Sequence, residues 1–166
     1  MTGFFPRGKM NPVNRVKQSE LVVNLMKLST RSRYGIHAMY ELALNYGGSP
    51  VPIKSIAERR AIPEAYLEQL IAVLRRDGLV VSMRGALGGY TLSRSPAEIT
   101  VGDVLRSMED GLAVVDCLLE GDTCGKSCDC PTRVIWQRLT DGIAQIVDNI
   151  SLADMVAENA PAVEVL

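Results

Sequence analysis

The chain has 166 residues, a formal net charge of −1 and a hydrophobic content of 47%. This composition fits one globular domain, or a small domain with an added oligomerisation element, and it excludes a disordered protein. No apolar run approaches the ~20 residues that span a bilayer, and residues 1–20 lack the features of a secretory signal. We therefore expect a cytoplasmic protein whose cysteines stay reduced and serve a metal site or a redox switch.

The charges are distributed unevenly along the chain. Residues 26–96 carry ten Lys and Arg against five Asp and Glu, whereas residues 97–166 carry four against thirteen. This asymmetry is typical of a module that binds a polyanion joined to one that does not. A basic surface that is merely solvated has the same composition, so the charges alone leave both interpretations open.

The first part of the chain predicts an extension followed by a helix. Residues 1–25 mix prolines with scattered basic residues and show no clear period, so we expect a mobile extension, with a short helical turn before Met26 as an alternative. Apolar spacing predicts a helix from Ser32 that stops at Gly47 and Gly48. Its predicted buried face consists of Ile36, Met39, Tyr40, Ala43 and Leu44.

Two shorter helices and a hairpin are predicted next. One helix runs from Pro52 to about Arg60 and the next from Pro63 to Asp77, which together predict a helix-turn-helix. The β-prone runs "LVVSMR" and "YTLSR" flank the flexible tip "GALGG" and predict a hairpin. The predicted fold class is therefore mainly α with a small β-hairpin wing, a winged helix-turn-helix domain joined to a long dimerisation helix.

The second part of the chain predicts two more helices around a cysteine-rich loop. Thr100 and Asp103 have the spacing of a helix cap, and Val101, Val104, Leu105 and Met108 form the predicted buried side. A long helix is predicted from Pro131. Its apolar stripe is long enough to pack against a copy of itself and consists of Ile135, Leu139, Ile143, Ile146 and Ile150.

The helix that begins after Pro63 has a candidate DNA-reading face. If its leucines and Ile71 face the core, steps of 100° per residue direct small and polar side chains outward. Gln69 could pair with adenine, Glu68 could accept from cytosine N4, and Arg76 could reach guanine or phosphate. A solvated helix face has the same mixture of residues. The predicted face consists of Ala65, Gln69, Ala72 and Arg76, with Tyr66 and Glu68 on its flanks.

The wing and the helix starts supply candidate contacts to the DNA backbone. Arg84, with Gly85 at the wing tip, suits insertion into a narrow minor groove. A nucleotide-binding glycine loop is the alternative interpretation of this segment. Such a loop requires a lysine and a following helix, and this sequence has neither at that place. Hydroxyl groups and cations near the helix starts predict phosphate contacts from Ser29, Thr30, Arg31, Arg33 and Lys54.

All four cysteines, Cys117, Cys124, Cys128 and Cys130, fall in one glycine-rich stretch. Soft anionic thiolates suit an iron–sulfur cluster, and they also suit zinc. An enzyme with a cysteine nucleophile is the alternative of another class. No base with an orienting group accompanies the cysteines, and the one histidine, His37, lies inside the first predicted helix, so we predict that the protein is not an enzyme.

Five segments carry a resemblance to a known family: "MKLSTRSRYGIHAMYELAL", "PIKSIAERRAIPEAYLEQLIAVLRRDGLV", "RGALGGYTLSR", "ITVGDVL" and "CPTRVIWQRLTDGI". They resemble the Rrf-two family of winged-helix transcriptional regulators. The likeness is greatest to its IscR-like iron–sulfur branch, with the NsrR-like nitric-oxide sensors and the CymR-like cysteine-metabolism repressors as relatives. The resemblance covers Met26 to Met155 and implies that Met26 is the native-like start, with residues 1–25 an extension.

This resemblance implies a homodimeric regulator, mostly a repressor, that binds a pseudo-palindromic operator in double-stranded DNA. It implies that the helix carrying "AYLEQL" enters the major groove, so that Tyr66, Glu68 and Gln69 contact bases, while Arg84 on the wing enters the minor groove. The implied organisation is an extension (1–25), a winged domain (26–96), a connecting helix with the cysteine loop (97–130), a dimerisation helix (131–155) and a tail (156–166).

The cluster-binding members imply the cysteine ligands. Cys117, Cys124 and Cys130 occupy the places of their three cysteines, with one extra residue in the first gap. The fourth ligand is missing from both known places, because Arg133 replaces the histidine of IscR-like members and Arg33 replaces the carboxylate of NsrR-like members. Cys128 is the candidate substitute, or else a spare thiol.

The cofactor implied is an iron–sulfur cluster that senses iron–sulfur, redox or nitric oxide status. Both 2Fe-2S and 4Fe-4S clusters stay open, and we favour 2Fe-2S. A zinc site and a thiol switch are alternatives. A further alternative is a cluster-free CymR-like regulator that senses cysteine status through a partner enzyme such as cysteine synthase.

Overall fold

The computed structural model describes residues 28–85, 88–109, 111–119 and 130–159. The proposed extension, Cys124 and Cys128, two residues of the wing tip and the end of the tail lie outside them. None of the helices in the described ranges is long and apolar enough to cross a membrane. The elements are α1 (Thr30–Leu44), α2 (Ile53–Arg60), α3 (Glu64–Arg76), β1 (Val80–Met83), β2 (Gly89–Leu92), α4 (Val101–Met108), α5 (Arg133–Asp148) and α6 (Leu152–Glu158), with short 3-10 turns at Pro96–Glu98 and Asp116–Leu118.

The predicted winged helix is confirmed. Helices α2 and α3 are joined by a tight turn in which Ala61 adopts the left-handed conformation (φ 51°). Strands β1 and β2 pair antiparallel, with Val80 opposite Leu92, and form the wing. Val51 adds a short bridge to Tyr90, with both backbone hydrogen bonds at 2.9 Å, which ties the wing to the start of the helix-turn-helix.

The core of the winged domain forms where α1, α3 and α4 meet. The predicted inner face of α3 is confirmed, since Leu67, Leu70, Ile71 and Leu74 are at most 2% exposed. The predicted face of α1 is wrong at Leu44, which is 48% exposed. Helix α1 instead meets α4 at Gly35, where a Cβ would lie only 2.7 Å from Met108 Cγ.

Helix α4 begins as predicted. The Thr100 hydroxyl accepts a hydrogen bond from the Asp103 amide at 3.0 Å, and the Asp103 carboxylate accepts one from the Thr100 amide at 3.1 Å. This reciprocal cap satisfies two donors that the first turn of a helix leaves free. Val104, Leu105 and Met108 are buried, whereas Val101 is only half-buried.

The stretch 131–155 contains two helices rather than one continuous helix. Helix α5 ends at Asp148, and Ser151 with Asp154 caps a new helix, α6. Backbone hydrogen bonds hold the junction against the start of α4, from the Val101 amide to the Ile150 carbonyl at 2.8 Å and from the Leu152 amide to the Ile99 carbonyl at 2.9 Å. Helix α6 packs on α1 and belongs to the winged body, whereas α5 contacts that body through α4.

Candidate DNA-reading surface and cysteine site

The outer face of α3 is open to solvent, as the helical periodicity predicts. Ala65, Glu68, Gln69 and Ala72 are exposed. Tyr66 is half-buried, and its ring packs edge-on against Tyr34 with the ring centroids 6.0 Å apart. The small side chains leave the backbone of α3 accessible, while the polar ones project from it. This geometry suits a helix that enters a groove of DNA.

Arg31 lies beside this face. A depression of about 300 Å3 is lined by Arg31 from α1 and by Tyr66, Gln69, Leu70 and Val73 from α3. Two of the predicted base-contacting residues and one predicted phosphate-contacting residue therefore share one surface. Arg33, Arg84 and Gly85 are also exposed, so no described neighbour covers them.

The carboxylate of Glu109 is hydrogen-bonded at the N-terminus of α1. Ser29 caps the helix, since its hydroxyl accepts a hydrogen bond from the Ser32 amide at 3.0 Å. The Ser29 amide donates to Glu109 at 3.4 Å, and the Ser32 hydroxyl also donates to Glu109. Burial raises the pKa of Glu109, but these hydrogen bonds and the charge of Arg31 outweigh burial and hold that pKa below its usual value.

Two other candidate DNA contacts are paired within the protein. Arg76 donates to Asp77 at 2.9 Å, and Lys54 lies 4.0 Å from Glu58. The hydrogen bond from Arg76 lowers the pKa of Asp77, with further contributions from Ser107 and Arg31 and opposition from burial. Both cations remain largely exposed, with 71% of the Arg76 side chain and 74% of the Lys54 side chain accessible.

The first and last cysteines of the cysteine stretch lie near the start of α5. Arg133 Nη1 donates to the Cys117 carbonyl at 2.9 Å, and the Cys130 sulfur lies 3.3 Å from the Thr132 hydroxyl. Hydrogen bonding from Thr132 and, more weakly, the amide and charge of Arg133 lower the pKa of the Cys130 thiol. Within the described ranges no three His, Cys, Asp or Glu residues form a metal-binding group, and Cys124 and Cys128 lie outside those ranges.

Helix α5 has two different faces. Trp136, Thr140, Ala144 and Val147 are half-buried, and the Thr140 hydroxyl accepts a hydrogen bond from the Val114 amide at 3.3 Å. The other face is apolar and exposed. Its members are between 38% and 63% exposed and comprise Ile135, Leu139, Ile143 and Ile146.

Three polar contacts were not predicted from the sequence. Besides Glu109, they are the buried Glu41, which binds two arginines of α2, and the ion pair between Arg106 and Asp148. The last pair joins residues that are 42 positions apart, a separation for which the sequence pattern carries no signal. The hydrogen bond from Arg106 also lowers the pKa of Asp148.

An exposed reading helix, a glycine-tipped wing and basic side chains around both define a winged-helix DNA-binding protein. Residues 28–158 match the family Rrf2, described as "Iron-dependent Transcriptional regulator". The chain therefore belongs to the Rrf2 family of transcriptional regulators. The resemblance and the prediction that the protein is not an enzyme are both confirmed, since its relatives are regulators.

Relatives from two branches resemble the chain about equally. The HTH-type transcriptional regulator CymR of Bacillus subtilis (strain 168) is 41% identical over 132 residues, which cover 80% of this chain and 91% of the relative. The solved structure of T. potens IscR is 45% identical with a TM-score of 0.66 and covers 80% of this chain and 88% of that one. The solved structure of CymR, titled the global cysteine regulator of B. subtilis, is 40% identical with a TM-score of 0.67 and covers 80% and 98%.

Proposed function

We propose that the protein is a cytoplasmic, homodimeric regulator that binds a pseudo-palindromic operator and responds to an iron–sulfur cluster held by its cysteines. One contact carries the cluster part of this proposal. Arg133 at the start of α5 binds the Cys117 backbone, and Cys130 stands just before the same helix. The first and last cysteines of the ligand set are thereby held at the base of one helix.

DNA reading falls to α3 and the wing in this proposal. Glu68 and Gln69 project from the exposed face, and Tyr66 is supported from below by Tyr34. Arg84 stands at the end of β1, beside the glycines of the tip, and is free to enter a minor groove. Arg31, Arg33 and Lys54 supply phosphate contacts, which position the protein without reading sequence.

The partner proposed for α5 is a second copy of the chain. Four large apolar side chains exposed on one face of α5 would be costly to leave in water. A regulator with two equivalent DNA-reading domains is expected to have a two-fold axis. An isologous contact between two α5 helices covers the same face on both copies. It also places two α3 helices in a fixed relation, as a palindromic operator requires.

The donor chemistry of the cysteine stretch fits an iron–sulfur cluster. Cys117, Cys124 and Cys130 would hold it, with Cys128 as the candidate fourth ligand. Thr132 and Arg133 favour the thiolate form of Cys130, which is the form that binds metal. A bound cluster, 2Fe-2S by preference, supplies a group that responds to redox state, nitric oxide and iron supply. Arg133 would fix the start of α5 relative to the first cysteine ligand, through its hydrogen bond to the Cys117 carbonyl.

A cluster-free regulator of cysteine metabolism is the second candidate. Arg133 replaces the histidine ligand implied for the iron–sulfur branch, and its guanidinium is engaged with a carbonyl. CymR of B. subtilis, named a global cysteine regulator, resembles the chain both in sequence and in its solved structure. Under this candidate a partner such as cysteine synthase, rather than a cluster, would report the signal.

Anaerobic purification separates the two candidates. For the first we expect a brown protein that absorbs near ~420 nm and contains iron and acid-labile sulfide in equal amounts. Cys130→Ser should abolish the absorbance, and Cys128→Ser should abolish it only if Cys128 is the fourth ligand. A colourless protein that takes up neither element on reconstitution, yet still binds DNA, would support the second candidate, and copurification of cysteine synthase would strengthen it. A protein with full zinc occupancy and no iron would instead support the zinc site.

A further inference from the structure

The junction between α5 and the winged body is held by a bidentate ion pair. Arg106 Nη1 donates to Asp148 Oδ1 at 2.6 Å, and Arg106 Nη2 donates to Asp148 Oδ2 at 2.7 Å. Two parallel bonds fix direction as well as distance, because the guanidinium and the carboxylate are both planar. Arg106 lies on α4 within the winged body, and Asp148 is the last residue of α5.

Gly102 provides the space that this pair occupies. A Cβ at position 102 would collide with the Asp148 carboxylate and would lie 2.9 Å from Arg106 Nη1. Gly102 lies within helix α4 and its φ is not positive, so the close approach of Asp148 explains the glycine there. A side chain at position 102 would therefore have to displace the Asp148 carboxylate and the Arg106 guanidinium from the positions that they occupy.

The position of the pair allows it to fix the angle between α5 and the winged body. The chain on either side of Ser151 is bound to the start of α4 through Ile150 and Leu152, and α6 packs on α1. The N-terminal half of α5 contacts the segment that precedes it: Arg133 donates to the Cys117 carbonyl, and Thr140 accepts from the Val114 amide. The ion pair therefore lies at the C-terminal end of α5, where the helix joins the winged body. A small rotation of this 16-residue helix about that point displaces its N-terminal end.

We propose that the Arg106–Asp148 pair, seated on Gly102, is a positioning clamp that sets the half-site spacing accepted by the dimer. This inference rests on the proposed dimerisation through α5. When the apolar face of α5 meets its copy, the angle between α5 and the winged body determines the separation of the two α3 helices. A rigid clamp gives a narrow range of separations, and a loosened clamp gives a wider range.

The test compares spacing preference rather than affinity alone. Full-length protein selects its preferred duplex from a random library, and variants of that duplex carry one base pair more or less between the half-sites. We expect the wild-type protein to discriminate strongly among these spacings. Arg106→Met should reduce the discrimination about fivefold, because each dimer contains two clamps and each exposed ion pair contributes modestly. The loss should come mainly from weaker binding to the preferred spacing.

Three further variants make the result specific. Gly102→Ala should reduce the discrimination as Arg106→Met does, because it displaces the carboxylate while both charges stay. The exchange Arg106→Asp with Asp148→Arg should restore much of it. Arg94→Met is the matched control, since it removes another exposed arginine, paired with Asp103 at 3.3 Å, that touches α4 but not α5.

The outcomes separate the clamp from the proposed function. Circular dichroism and gel filtration establish that each variant is folded and dimeric, and Asp148→Asn replaces Arg106→Met if the latter does not fold. Unchanged discrimination in the Arg106 and Gly102 variants, or an equal loss in Arg94→Met, overturns the clamp while the dimeric regulator stands. A monomeric wild-type protein, or a selected duplex without two-fold symmetry, overturns both.

Discussion

Replacing Arg60 with methionine is expected to destabilise the protein more than replacing its partner Glu41 with leucine. The Glu41 side chain is only 4% exposed, and it accepts from Arg60 Nε at 2.6 Å and from Arg59 Nη1 at 3.1 Å. The two arginine side chains are 26% and 55% exposed. Loss of an arginine therefore leaves a buried charge, whereas loss of the glutamate leaves cations that can turn to water.

The difference is large enough to measure. Breaking a buried ion pair costs ~3–5 kcal/mol, and because Arg59 still compensates part of the charge, we expect about 2–3 kcal/mol for Arg60→Met. Loss of the cation–π contact with Tyr40, where the guanidinium lies 4.9 Å from the ring centroid, adds about 0.5 kcal/mol. Glu41→Leu fills the same space with apolar atoms and should cost at most about 1 kcal/mol.

Urea unfolding followed by circular dichroism measures both free energies, at one fixed protomer concentration because dimerisation contributes to stability. Arg60→Met should lower the urea midpoint by about 1–2 M. In the double variant Glu41→Leu with Arg60→Met, most of the cost of losing Arg60 should disappear. The exposed pair of Arg94 with Asp103 supplies the control, because Arg94→Met should cost less than about 1 kcal/mol. The reasoning is refuted if Glu41→Leu destabilises the protein as much as Arg60→Met does.

Three other changes test separate parts of the structure. Leu139→Glu should convert a dimer into a monomer in gel filtration and weaken operator binding at least tenfold, whereas an unchanged dimer would exclude α5 as the interface. Gly35→Val should cost at least about 2 kcal/mol in urea unfolding, because Met108 fills the space beside Gly35, and a neutral result would contradict that packing. Glu109→Gln should lower stability at pH 7 but not at acidic pH. Because the pKa of Glu109 in the folded protein lies below its usual 4.5, its contribution is complete above about pH 4.5 and is lost as the pH falls through the folded pKa. Parallel pH profiles for wild type and variant would count against it.

Sequence periodicity predicts the helices whose buried faces are made of large apolar side chains. The inner face of α3 is such a case, since four large aliphatic residues recur at helical spacing. Helix α1 differs, because Gly35 and Ala38 are buried and carry no strong signal, while Leu44 carries a strong signal and is exposed. Burial there is determined by the neighbouring helix α4, which a count of apolar residues along α1 does not include.

The break between α5 and α6 could have been predicted locally. Ser151 followed by Asp154 is the spacing of a helix cap, the same pattern that correctly predicts the start of α4 at Thr100. The apolar stripe of α5 continues to Ile150 and hides this signal. The long-range pairs are of another kind. Arg106 and Asp148 meet only because the chain turns back on α4 at Ile150, so their contact depends on the fold and not on local spacing.

Helix α4 contacts both α5 and the start of α1. Gly102 in its first turn lies against Asp148, the last residue of α5, and Arg106 in its last turn donates two hydrogen bonds to the same carboxylate. At its end, Met108 fills the space beside Gly35, and Glu109 binds the start of α1, next to the surface that Arg31 shares with α3. A displacement of α5 relative to α4 can therefore move α3 relative to α5 without any rearrangement of the hydrophobic core. In the proposed dimer, a rotation about the junction at Asp148 would change the separation of the two α3 helices directly, while the reading surface of each protomer keeps its shape. If the proposed cluster is the sensor, we therefore expect its signal to alter which operators are bound through their half-site spacing and to leave the bases preferred within each half-site unchanged.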